Sequence, residues 1–139
     1  MVRVTERIEW NDDYCVGNEL LDAQHKHLFE LVNQIGDLFG NSSADARTQR
    51  ALNCYSSLTK YATDHFVAEE RVLRKLGWAG LDEHRRQHEA FEKFIFSDEV
   101  HRMLVGSDLA RLYEYLVAWL RTHVIVEDQK YKEAVSAQT

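Results

Sequence analysis

The chain has 139 residues, 45% of them apolar and 29% charged, with a net charge of −6. This is the size of one domain able to bury a core without disulfides, so a bound metal is expected for function rather than for holding the fold together. The acidic balance and the lack of a Lys/Arg patch argue against nucleic acid and membrane surfaces as partners.

No apolar run is long enough to span a bilayer, and the opening residues MVRVTERIEWNDDY lack the apolar centre of a signal peptide. A cytoplasmic location is the expectation, with Cys15 and Cys54, which form no CxxC pair, as reduced thiols.

Residues 1–18 carry Ile8, Trp10, Tyr14 and Val16 and are expected to form an arm packed on the helices. The first helix is expected from Glu19 to Phe39. Asn18 is its cap and Gly40, with Asn41, Ser42 and Ser43, its end. Its inward stripe is Leu21, His25, Leu28, Val32, Ile35 and Phe39, in steps of four and three.

The second helix is expected from Ala44 to Leu76, stopped by Gly77. Its stripe reads Ala51, Tyr55, Leu58, Ala62, His65, Glu69, Val72 and Leu76. A third is expected from Asp82, as cap, to Val105, opening with His84, His88, Phe91 and Ile95. Its register blurs at Ser97 and Asp98, where a kink can form. Gly106 and Ser107 break the chain. A fourth runs from Asp108 to Ala134 with Leu109, Leu112, Leu116, Trp119 and His123 inward. Short breaks between long helices predict an all-α, antiparallel up-down-up-down four-helix bundle over 19–134, a single domain with its N-terminal arm.

Every stripe carries polar residues where Leu belongs: His25; His65 with Glu69; His84 with His88; and His123. Burying so many imidazoles and a carboxylate without partners would cost several kcal/mol. A shared metal satisfies them all. Residues four apart on a helix lie about 6 Å apart on one face, so His65/Glu69 and His84/His88 each aim two donors at one volume. A structural zinc site takes four ligands. The set here is larger and includes a carboxylate able to bridge, which favours two ions over a single zinc, the alternative left open.

The segments LLDAQHKHLFELVN (20–33), HFVAEE (65–70), HRRQH (84–88) and WLRTHVIVEDQKY (119–131), with the Trp10 arm, resemble the hemerythrin family, specifically the bacteriohemerythrins. The resemblance spans residues 8–132. It implies a non-haem di-iron centre with a bridging oxo or hydroxo group. His84, His88 and His123 would hold one iron, His25 and His65 the other, and Glu69 and Asp128 would bridge them. Spacing alone leaves Asp128 in doubt: five residues from His123 is about 140° off a shared α-helical face, and Glu127 fits better. A π-type widening of the helix would reconcile Asp128 with the site.

With an oxygen from each carboxylate and the bridging group, three histidines would fill one iron's six positions and two would leave the other with one open, so reversible dioxygen binding is the expected function. Nitric oxide and small anions such as azide are possible further ligands. The chain is read as an oxygen carrier or store, or as the sensing input of a longer signalling protein, and not as an enzyme. A di-iron oxidase or peroxidase and a metal store are the rivals. Leu28, Phe29, Phe66, Trp119 and Leu120 lie within about one turn of a ligand and are expected to wall the oxygen pocket.

Of the remaining residues, His27 is expected in solvent and His101 at the surface. Glu70 should be solvated or behind a ligand, and Asp22/Lys26 an exposed helix pair. Tyr131 either hydrogen-bonds near the site or packs.

Overall fold

A computed structural model of the chain describes residues 7–39, 44–106 and 108–137. They contain helices and turns and no strand. The helices are α1 (Glu19–Gly36), α2 (Ala44–Leu76), α3 (Leu81–Ile95), α4 (Asp98–Val105), α5 (Leu109–Thr122) and α6 (Lys132–Ser136). A π-helical stretch, His123–Glu127, and a 3-10 turn, Asp128–Tyr131, join α5 to α6. α3 with α4, and α5 through α6, each act as one rod, giving the up-down-up-down four-helix bundle. α1 packs on α2 and α5, α2 on α3 and α4, and α4 on α5. No helix among the described residues is long and apolar enough to cross a membrane.

The helix ends obey local chemistry. The Asn18 side chain accepts from the Leu21 N–H at 3.0 Å, the cap the sequence suggests. α1 ends at Gly36 and continues as a 3-10 turn, Asp37–Phe39. The Gly40 stop lies outside the described residues, as does Ser107. Gly77 ends α2 with φ +64°, its N–H bonding the Arg74 carbonyl while Trp78 N–H reaches back to Leu73. That pair of bonds satisfies carbonyls left open at a helix end and needs the left-handed conformation glycine adopts without strain.

Asp82 is not the cap of α3. The helix starts one residue earlier with Gly80 in the capping place, and Asp82 sits in the first turn, where its charge favours the positive helix end. A side chain at residue 80 would meet the Trp78 ring at 2.5 Å, so glycine there lets the indole fold over the backbone. The blurred register at Ser97 is a real break, with the Ser97 hydroxyl accepting from the Val100 N–H.

The stripes are buried largely as expected: Leu21, Leu28, Val32, Ile35, Leu58, Phe91, Ile95, Leu112 and Leu116 are each at most 3% exposed. The lower part of α2 differs. Val72 and Leu76 are half-buried, and Leu73 is fully buried instead, joining Leu21, Val16, Tyr131 and Val135 in a second cluster below the site.

Residues 7–18 lie against α1. Ile8 exchanges two backbone bonds with the Asn33 side chain, each 2.9 Å, and Trp10 meets Phe29 edge-on at 5.3 Å. Asp22 and Lys26 serve this arm rather than each other. Asp22 accepts from the Val16 N–H at 2.7 Å, and the Lys26 ammonium lies 5.6 Å from the Trp10 ring centre. Asn33→Ala leaves both Ile8 groups buried and unpaired. It should lower the urea unfolding free energy by about 2 kcal/mol, and a loss within error would show that the arm contributes nothing to stability.

Candidate metal centre

All seven residues singled out by the sequence meet in one volume at mid-bundle, and none of them is more than 3% exposed. α1 supplies His25, α2 His65 and Glu69, α3 His84 and His88, and the fourth rod His123 and Asp128.

Asp128 arrives by a backbone device. Its N–H bonds the carbonyl of His123, five residues back, which widens the helix by one residue and brings Asp128 round to the histidine's face. Glu127 points away, accepting from Gln87 at 2.7 Å and pairing with Lys130 at 2.8 Å.

The two carboxylates divide the histidines between their oxygens. Glu69 Oε1 lies 2.6 Å from His84 Nε2 and 3.1 Å from His88 Nε2. Its Oε2 lies 3.2 Å from His25 Nε2 and 3.1 Å from His65 Nε2. Asp128 repeats the division. Oδ1 is 2.9 Å from His84 Nε2 and 3.2 Å from His123 Nε2, while Oδ2 is 3.1 Å from His25 Nε2. Each carboxylate therefore spans a three-histidine and a two-histidine group. The Tyr131 hydroxyl donates to Glu69 Oε2 at 2.8 Å, and Trp78 packs edge-on against Tyr131 and His84.

The outer ring nitrogens fix which atoms face inward. Gln87 gives its amide N–H to the Glu127 carboxylate, so its oxygen faces His123 Nδ1 at 3.1 Å, which must carry the proton. His88 Nδ1 meets Glu70 Oε2 at 2.8 Å, and His65 Nδ1 meets Gln24 Oε1 at 2.6 Å. Three Nε2 lone pairs consequently point into the centre, and those of His88 and His123 face each other at 3.0 Å.

Both Asp128 oxygens lack a hydrogen bond of acceptable geometry despite their close imidazoles. Lone pairs facing one another, an orphaned carboxylate and no thiolate form a donor set that only cations complete. The residues fit hard or borderline metal ions.

The electrostatics agree. Burial opposes ionisation of Glu69 and Asp128, yet the imidazoles outweigh it, holding Glu69 well below the usual range and Asp128 at about 2. Burial likewise opposes charge on His25 and His84, but Asp128 and Glu69 raise them to about 10 and about 9. For His65, which lacks an Asp128 contact, burial wins and the value falls. Burial raises the Tyr131 phenol, so it stays a donor. Without metal, protons on His25 and His84 neutralise the cluster, and a metal ion must displace them.

The expected pocket wall is partly assembled. Leu28, Trp119 and Leu120 line an apolar cavity of about 10 Å³ together with Ala62 and Phe91. Its lining includes residues three positions from His25, His65, His88 and His123, so it lies about one turn from the histidine–carboxylate cluster. Phe66 stacks on His88 at 3.9 Å. Phe29 does not join them. Adjacent helix residues point about 100° apart, and Phe29 turns to Trp10 and Tyr14 of the arm.

Glu70 lies behind His88, and Tyr131 hydrogen-bonds inside the site. His101 is exposed. His27 is half-buried, its ring 4.3 Å from Tyr61. Gln24 and Gln87 escaped the sequence reading. The signal for them was chemical: a metal-binding imidazole needs an acceptor at its other nitrogen, and each glutamine adjoins a core histidine.

A metal-capable four-helix bundle with this donor set defines a class of protein. The chain matches the hemerythrin HHE cation-binding domain over residues 16–135, and it belongs to the hemerythrin family. The bacteriohemerythrin of Clostridium acetobutylicum is 26% identical over 124 residues, covering 88% of this chain and 96% of its own. A hemerythrin-like protein of Naegleria gruberi is 32% identical over 123 residues, covering 88% and 89%. A wild-type hemerythrin crystal structure shares the fold with a TM-score of 0.75 at 20% identity, covering 93% of this chain and 98% of that one.

Protein stripped of metal by a chelator should show a stability maximum in pH. The raised His25 and His84 contribute fully below 6.5 and lose that contribution as pH climbs through about 9 to 10. The depressed Glu69 and Asp128 contribute above their unfolded values near 4, and lose it as pH falls towards about 2. Melting temperature should therefore peak between these ranges and decline towards pH 10, while metal-loaded protein resists the alkaline decline. A stripped protein equally stable at pH 6 and pH 10 would contradict the electrostatic account.

Proposed function

We propose that the chain holds two non-haem irons and binds dioxygen reversibly, as a carrier or store or as the sensing input of a longer protein. The observation that carries this reading is the division of the carboxylate oxygens between three histidines and two. His84, His88 and His123 would hold one iron and His25 and His65 the other, with Glu69 and Asp128 bridging. The two-histidine side is one donor short, the place for a small diatomic ligand. Two irons held there would supply the electrons that dioxygen takes up on binding and returns on release.

The chain's own groups do the rest. Glu69 and Asp128 fix the spacing of the two positions, and Tyr131 holds Glu69 in its orientation through the 2.8 Å bond. Five imidazoles against two carboxylates give a less anionic donor set than sites rich in Glu, which suits binding and release better than oxidation of a substrate. Leu28, Trp119 and Leu120 exclude water beside the site, and with it the protons and anions that would discharge reduced oxygen.

The test is an absorption spectrum of the reduced, deoxygenated protein before and after air, and again after oxygen is removed. A charge-transfer band that appears in air and fades on deoxygenation is expected. Irreversible oxidation with catalytic peroxide release would instead indicate an oxidase.

Leu120→Asn touches no ligand and should keep both irons while hastening loss of the oxygenated band. The side chain is only 2% exposed, so a buried amide should also lower stability by about 1–3 kcal/mol. An unchanged decay in folded, fully loaded variant would make Leu120 ordinary core.

A further inference from the structure

The acceptors behind the histidines are not equivalent. On the three-histidine side, His88 Nδ1 donates to a carboxylate, Glu70, and His123 Nδ1 to Gln87, whose amide is itself bound to the carboxylate of Glu127. Arg85 and Lys130 hold the far oxygens of those carboxylates, at 3.4 and 2.8 Å, and so aim the near ones inward. On the two-histidine side, His65 Nδ1 has only the neutral amide of Gln24, and the buried His25 Nδ1 has no hydrogen-bond partner. An anionic acceptor draws the Nδ1 proton outward and enriches the Nε2 lone pair, making a stronger and better-oriented metal donor. A neutral acceptor does so less.

We propose that Glu70 and the Gln87–Glu127 pair are positioning residues that make the His84/His88/His123 position the tight one, and that the ion at His25/His65 is the exchangeable member of the pair. This rests on the two-iron reading above. Glu127, the residue helical spacing would have put on the metals, acts from one step outside through Gln87. A count of three histidines against two would give the same order of affinity, but it would be indifferent to changes at Glu70 and Glu127.

Iron release distinguishes the two. Reduced protein, first assayed for iron content, is mixed with excess of a chromogenic ferrous chelator, and capture is followed by absorbance. Wild type should lose one iron quickly and one slowly. Glu70→Gln and Glu127→Gln, both at partly exposed side chains, should each speed the slow phase about tenfold or more and leave the fast phase alone. Gln24→Ala should speed only the fast phase. Exchanging the pair, Gln87→Glu with Glu127→Gln, sets a carboxylate directly on His123 and should restore the slow phase or slow it further, a gain that misfolding cannot imitate.

Release in a single phase overturns the proposal. So does acceleration of both phases alike, a slow phase indifferent to Glu70→Gln and Glu127→Gln, or an exchanged pair no slower than Glu127→Gln alone. These results leave the two-iron reading standing if wild type carries two irons. A wild type that does not carry two irons removes that reading, and this proposal with it.

Discussion

The carboxylate of Glu69 is fully buried at the middle of a helix bundle, with four imidazole nitrogens and a phenol within 3.2 Å of its two oxygens. An isolated charge there would be prohibitively costly. It persists because each of the four rods of the bundle brings it a partner: His25 from α1, His65 one turn earlier on α2, His84 and His88 from α3, and Tyr131 from the 3-10 turn of the fourth. The helices are packed as they are partly to keep those groups converged. Leu28, Phe66, Phe91 and Leu120, all buried, form the apolar frame around the polar centre. The bundle accepts a centre that a row of leucines would stabilise better, the usual sign of a site kept for binding.

Order extends outward from that centre in layers. Gln24, Glu70 and Gln87 orient the imidazoles from behind, and Glu127 and Lys130 orient Gln87 in turn. Trp78, folded over Gly80, closes the lower side against His84 and Tyr131. The residues around the site thus supply rigidity on one side and dryness on the other.

Six of the seven site residues were legible from periodicity, because α1, α2, α3 and α5 are regular enough for steps of four and three to mark one face. Asp128 was not. A single π-type bond from its N–H to the His123 carbonyl breaks the periodicity on which such counting depends, and only the resemblance to a family singled it out. The orienting groups were hidden for another reason. Gln24 meets His65 across 41 positions, Gln87 meets His123 across 36, and Tyr131 meets Glu69 across 62. These are contacts between helices, set by bundle geometry rather than by spacing within one helix. Phe29 and Leu73 show the finer limit: a stripe identifies the buried side of a helix, but the element across from it decides whether a residue faces the site, the arm or the lower cluster.

The central claim is that Glu69 and Asp128 are shared between two irons. Crystals of protein grown with iron, measured at the iron absorption edge, test it most directly. The account predicts two anomalous peaks per chain, one beside His84, His88 and His123 and one beside His25 and His65, with a carboxylate oxygen of both Glu69 and Asp128 reaching each. A single peak, or a second one held by Glu127 with Asp128 turned away, would contradict it.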